Sequence, residues 1–164
     1  MGLSGIIRVQ MGESGDKMFF FGTFKHNLDD KSRCTIPNSF RDQLGKKVYG
    51  TKGLDNCINI YPEEAFMRLC QQNALLSDFD PAERQFKRLF FETSFKYEVD
   101  KSGRITLTKD HLQRAGIDRE VVLVGNNDHI EIWNKTTFEE LDTIQNENFE
   151  SNAQSIAQSR KELR

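Results

Sequence analysis

The chain contains an internal duplication, and this constrains its fold more than any other feature. Shifted by 71 positions, it sets Phe20 over Phe91, Phe24 over Phe95, Lys25 over Lys96, Asp29 over Asp100, Arg33 over Arg104, Thr35 over Thr106 and Gly45 over Gly116. A shift of 72 then sets Gly53 over Gly125, Ile58 over Ile130, Ile60 over Ile132, Phe66 over Phe138 and Leu69 over Leu141, as one residue inserted in the second copy would. The pairs are collinear, and the near-matches Thr23 with Ser94, Leu28 with Val99 and Tyr61 with Trp133 exchange like for like. So long a period exceeds a solenoid unit. Two such copies bury each other's apolar faces by packing about a pseudo-two-fold axis.

Each copy reads as a small α+β unit. An alternating strand, 20–28 or 91–99, enters a polar turn, Asp29 to Arg33 or Asp100 to Arg104, and a short strand leaves it at 34–36 or 105–107. A short helix follows, opened by Pro37-Asn38 or Thr108 and closed by Gly45 or Gly116. Two more strands end at Cys57 to Tyr61 and Ile130 to Trp133, before longer helices after Pro62 and Thr136 that carry Phe66 and Leu69, or Phe138 and Leu141. Between the copies, Asp80-Pro81-Ala82-Glu83 supplies an N-cap, a first-turn proline and a capping glutamate, which predicts a helix over 81–90.

These signals divide the 164 residues into an N-terminal extension outside the fold (1–17), a first unit (18–76), a connector helix (77–90), a second unit (91–143) and a polar tail (144–164). The tail is expected to be either a solvated helix or disordered and is given no function. The hydrophobic share of 37%, with 13 Phe, suits a folded globule. No window approaches the roughly 18 apolar residues that cross a membrane, so no membrane partner and a cytoplasmic location are expected. Cys34, Cys57 and Cys70 are odd in number and lack C-x-x-C spacing, which argues against a disulfide framework and against a metal site.

The net charge of −2 conceals a strong segregation. Residues 18–52 hold seven bases against three acids and 81–117 hold eight against five, whereas 53–80, 118–136 and 137–164 are all net acidic. Both basic segments contain an Asp-x-x-x-Arg turn. An aspartate four residues before an arginine at a turn exit can hold the guanidinium fork in one orientation, so less side-chain freedom is lost on binding. Such a fork can read guanine O6 and N7, worth about 1–3 kcal/mol of discrimination. Arg33 and Arg104 are therefore candidate DNA-reading residues, oriented by Asp29 and Asp100, with Lys25, Lys31, Lys96, Lys101 and Arg41 as candidate phosphate contacts. A single Asp-x-x-x-Arg pair ordinarily means a solvated ion pair of little energetic weight. Its recurrence at equivalent points of a duplication sets it apart.

The residues Phe21-Gly22-Thr23, Asn27 through Arg33, Ile36-Pro37 and Phe40-Arg41 resemble the opening of MraZ proteins. Val99 through Ile105, Ala115-Gly116-Ile117 and Val122 through Gly125 resemble their second half. The resemblance runs from about Met18 to about Leu141. It implies a SpoVT/AbrB-like fold, a duplicated unit with a pseudo-two-fold, β-barrel-like core of interleaved hairpins and flanking helices. It also implies a ring-shaped homo-oligomer, a heptamer or octamer, found with the nucleoid. Such a ring would repress the division and cell-wall gene cluster by binding short repeats in double-stranded promoter DNA. Phe21 stands where many members carry Arg, and Ser32 replaces the usual turn Gly, so one basic contact is absent.

An enzyme is not expected, and neither a cofactor nor a small-molecule substrate is. His26, His111 and His129 do not recur between the copies with any cysteine, and no phosphate loop, H-E-x-x-H pair or G-x-S-x-G elbow is present. The competing interpretation is a ring-forming scaffold or antitoxin-like protein-binding module with no DNA contact. Phe20, Phe24, Phe91 and Phe95, at strand periodicity, are expected to be packing residues rather than base-stacking platforms.

Overall fold

The computed structural model describes residues 19–163. The extension 1–17 and Met18, the first residue of the first unit, lie outside them. The first copy contributes β1 (Thr23–Asn27), β2 (Arg33–Thr35), α1 (Asn38–Leu44), β3 (Lys47–Lys52), β4 (Ile58–Pro62) and α2 (Glu63–Ala74). A connector, α3 (Pro81–Thr93), leads to β5 (Phe95–Glu98), β6 (Arg104–Thr106), α4 (Lys109–Arg114), β7 (Glu120–Asn126), β8 (His129–Asn134) and α5 (Lys135–Glu162).

The strands pair across the duplication. A six-stranded antiparallel sheet has the order β1-β7-β8-β4-β3-β5, and β2 pairs only with β6. The first strand of each copy thus adds to the other copy's hairpin. Asn59 lies opposite Glu131, and Cys34 opposite Ile105, so a pseudo-two-fold axis passes through both pairs of equivalent residues. The register also revises the alignment of the copies. Gly50 faces Ile60 and Phe95, while Leu123 faces Ile132 and Phe24, which makes Gly50 and Leu123 equivalent. The second copy therefore gains two residues before β7 and loses one in the β7–β8 hairpin, so Gly53 and Gly125 are not counterparts.

The barrel-like core is not closed. β2 and β6 use their ladder bonds on each other, leaving β1 and β5 as the free edges of an open sheet. Two other expectations are corrected. The strand expected from Phe20 starts only at Thr23, because Phe20 forms an isolated bridge with Asn127 and the chain bends at Gly22. The strand expected from Phe91 starts at Phe95, because α3 continues to Thr93, past the predicted end at Phe90. That extra turn is held by tertiary bonds: the Thr51 hydroxyl donates to the Phe90 carbonyl (3.3 Å) and pairs with the Thr93 hydroxyl (3.2 Å). Phe91 is consequently exposed on a helix, and Phe95 is also half exposed, so of the four aromatics only Phe20 and Phe24 pack as expected.

Alternation sorts each strand between two faces. Val48, Ile58, Ile60, Val121, Leu123, Ile130 and Ile132 point to the inner face, against Cys34, Ile36, Ile105 and Leu107 from the β2–β6 segments and Phe40 from α1. The outer face carries Tyr49 and Tyr61, covered by Phe66 of α2 and Phe90 of α3, with Tyr49 and Phe66 stacked at 4.5 Å. The tail is helical, continuous with α5 through Glu162. Among the described residues no helix is long and apolar enough to cross a membrane, and no cluster of His, Cys, Asp or Glu is arranged to hold a metal.

Two histidines that the repeat does not share have structural work. His111 is buried, its Nε2 donating to the Thr93 carbonyl (2.6 Å) and its Nδ1 accepting from the Tyr97 phenol (2.7 Å). It ties α4 to β5 and to the end of α3. His129 opens β8, stacks on Tyr61 at 4.8 Å, and lies 2.8 Å from Asp128 Oδ1 and 3.7 Å from Glu131 Oε2. Burial disfavours its charge, but hydrogen bonds to the two carboxylates outweigh that and lift it to about 9.

Replacing His111 by Ala leaves the buried Thr93 carbonyl without this donor, takes one partner from the Tyr97 phenol and leaves a cavity, and should lower unfolding stability by about 2–5 kcal/mol in urea titrations. The exposed Gln113→Ala should change it by less than about 0.5 kcal/mol. For His129 the folded-state value lies above the unfolded one, so its contribution is complete below about 6.5 and declines as pH rises through about 9. The gap in thermal midpoint between the native protein and His129→Gln should be widest near pH 6 and close above pH 9; a gap that widened with pH would contradict the charged pair.

Candidate nucleic-acid interface

Both Asp-x-x-x-Arg turns fold in the same way, by local hydrogen bonding that the sequence dictates. Asp29 Oδ1 accepts from the backbone N–H groups of Lys31 and Arg33, each at 2.9 Å, and Oδ2 accepts from Arg33 Nε. Asp100 Oδ1 accepts at 2.9 Å from the N–H groups of Ser102 and Arg104, and Oδ2 from Arg104 Nε at 3.1 Å. This is the aspartate turn, in which a short carboxylate replaces a backbone acceptor. The backbone bonds from Arg33, followed by the guanidinium, hold Asp29 below the usual carboxylate range, and Asp100 is lowered in the same manner by Arg104. Both aspartates thus stay ionised and keep their arginines fixed.

The fourth residue of each turn takes a left-handed conformation, Ser32 at φ 59° and Gly103 at φ 77°. A side chain there costs about 1 kcal/mol, which the first turn accepts. At the second, a Cβ on Gly103 would lie 2.1 Å from Cζ of Arg41, so that guanidinium would have to move aside. Arg41, expected as a phosphate contact, is half-buried and packs on this turn. Its Nη2 donates to the Ile36 carbonyl at 2.9 Å, its Nε is buried with no hydrogen-bond partner among the described residues, and its guanidinium braces the other copy's turn. At the equivalent position, 71 residues on, Leu112 packs against the core instead.

The two turns meet through β2 and β6. Arg33 pairs with Thr106 and Arg104 with Thr35, on either side of the buried Cys34–Ile105 pair. Since alternate residues of a strand face opposite ways, Arg33 and Arg104 emerge together on the outward side, in diagonal positions. Their side chains retain 29% and 30% exposure, enough to be reached from solvent. Arg104 Nη1 also lies 3.7 Å from Asp29 Oδ2, so one carboxylate steers both arginines. Sequence reasoning missed this link between copies, and missed Arg41 as a brace; the Ser32/Gly103 difference was the only trace of the latter.

Lys31 and Lys101 are exposed within the turns and join the cluster. Lys25 and Lys96 do not. They sit on β1 and β5, the opposite edges of the sheet, four residues before each aspartate and so about 13 Å away along the strand. A cavity of about 480 Å³ lies apart from the turns, between the outer sheet face and helices α2 and α3, with Asn59, Leu69, Phe86 and Glu131 in its wall.

A family model described as "MraZ protein, putative antitoxin-like" matches twice, over residues 19–89 and 90–160. A transcriptional regulator MraZ of Syntrophomonas wolfei is 37% identical over 145 residues, covering 88% of this chain and 98% of its own. The protein of the same name from Desulforamulus reducens is 37% identical, with 84% and 96% of the two chains covered. That from Moorella thermoacetica is 40% identical over 74% and 85%. With two tandem matches that fall on the two copies of the repeat, and relatives covering nearly all of the described fold, this chain belongs to the MraZ family.

Proposed function

We propose that this protein is a transcriptional regulator that binds double-stranded DNA through its paired Asp-x-x-x-Arg turns. The observation that carries the reading is the common outward face of Arg33 and Arg104, two guanidinium groups held by carboxylates and linked through Asp29. Preset forks of this kind suit guanine edges in the major groove, with Lys31 and Lys101 neutralising flanking phosphates. The names of the relatives, all transcriptional regulators and none an enzyme, support the same class.

In this reading the duplicated unit is SpoVT/AbrB-like, with units at 18–76 and 91–143 around the connector. The protein acts in the cytoplasm, on the nucleoid, as a ring-shaped homo-oligomer, a heptamer or octamer, that represses the division and cell-wall gene cluster by engaging short upstream repeats. Each subunit binds one repeat weakly. Adjacent subunits on successive repeats gain through effective concentration, by roughly two to four powers of ten in avidity. Lys25 and Lys96 contribute only as outlying phosphate contacts.

Gel-shift titrations with DNA from upstream of the protein's own gene test this. Arg33→Ala should abolish specific retardation without changing the size of the assembly, Arg104→Ala should act likewise, and the native complex should weaken steeply as salt rises. Retardation that survives both substitutions would refute the assignment, and a partner complex insensitive to salt would favour the antitoxin-like, protein-binding alternative.

A further inference from the structure

The end of α5 is a helix without support. The 28 residues of Lys135–Glu162 include none that is buried, and from residue 142 onward every one is exposed. Among the described residues its main contacts with the body are made by the first turns at β7 and β8, where Phe138 packs on Trp133 at 5.7 Å. The remaining 20 or so residues project for about 30 Å. Nor does their composition sustain a lone helix, because Thr143, Asn146, Asn148, Ser151, Asn152, Ser155 and Ser159 are all weak helix formers. Helices of that kind draw their stability from packing rather than propensity.

The arm carries a seam for such packing. Phe149, Ile156 and Leu163 recur every seven residues, with Ala153 four after Phe149, which is the spacing of a coiled-coil core. Phe149, Ile156 and Leu163 are 62%, 54% and 87% exposed. Charge is also divided along the arm. Glu139, Glu140, Asp142, Glu147 and Glu150 make its near half acidic, while Arg160 and Lys161 outweigh Glu162 and leave its far end net basic. A parallel pair would set like charges side by side; an antiparallel pair sets acidic against basic at both ends. The register that places Arg160 beside Asp142 of a second copy also places Phe149 beside its Ala153, a large side chain against a small one.

We propose that residues 142–162 of α5 form an antiparallel two-helix pair with the same segment of a second copy of this chain, joining two subunits, or two larger assemblies of them, across a two-fold axis. In this register the two Phe149–Ala153 layers supply the apolar contact, Ile156 and Leu163 lie beside Asn146 and Glu139, and the charge gradient supplies direction. This contact is independent of the Asp-x-x-x-Arg turns and stands or falls apart from DNA binding.

Charge reversal on the arm tests it with fully exposed positions, so folding is not at stake. Light scattering should show that an all-acidic arm, Arg160→Glu with Lys161→Glu, halves the mass of the native particle at low salt. A basic arm, Asp142→Lys with Glu147→Lys, should do the same. Mixing the two variants should restore the native mass, because each then meets its complement. If neither variant changes the mass, or if the mixture stays at the halved mass because the arm docks on a neighbour's body, the pairing is overturned.

Discussion

The arrangement rests on the antiparallel pairing of β2 with β6. The ladder is only three residues long, yet it brings the two Asp-x-x-x-Arg turns together. Cys34 and Ile105, fully buried at its centre, anchor it in the core. Their neighbours Arg33 and Arg104 must then face outward together. Backbone bonds from Ile36 to the Gly103 carbonyl and from Leu107 to the Ser32 carbonyl extend the exchange, so that each turn is clamped by the strand leaving the other. The placement of each arginine therefore depends on the other copy.

Within that symmetric frame the copies have diverged in a coupled way. Arg41 fills the space above the second turn, where Gly103 lets its guanidinium lie close; at the first turn Leu112 occupies the equivalent place and Ser32 is present. The two halves therefore present alike arginines on unlike supports. Outside the turns the divergence is larger. The first copy's second helix stops at Ala74, and after a break Pro81 starts α3, which packs back onto β3. The second copy has no such break, and its helix runs clear of the body.

The sequence was informative where physics acts over a few residues. The carboxylate four positions before each arginine determined the turns. Asp80 capping Glu83, with Pro81 behind it, placed the start of α3, and Gly45 marked the end of α1. It misled at the ends of elements set by distant contacts: the extra turn of α3 depends on Thr51, which is 42 residues from Thr93. Phe20 and Phe91, aligned by the duplication, ended in unlike surroundings for that reason, one buried in a bridge and the other exposed on a helix.

Read alone, then, the sequence determined the duplication, the two α+β units, the turn chemistry and the candidate arginines, because periodicity and short-range hydrogen bonds are written in neighbouring residues. Tertiary structure decided that the copies exchange strands, that Asp29 reaches Arg104, that Arg41 packs on the second turn and that Lys25 and Lys96 part to opposite edges. Each of these depends on bringing together residues some 45 to 100 positions apart. Such pairings are selected by the burial of the whole inner face at once, and no local window contains that information.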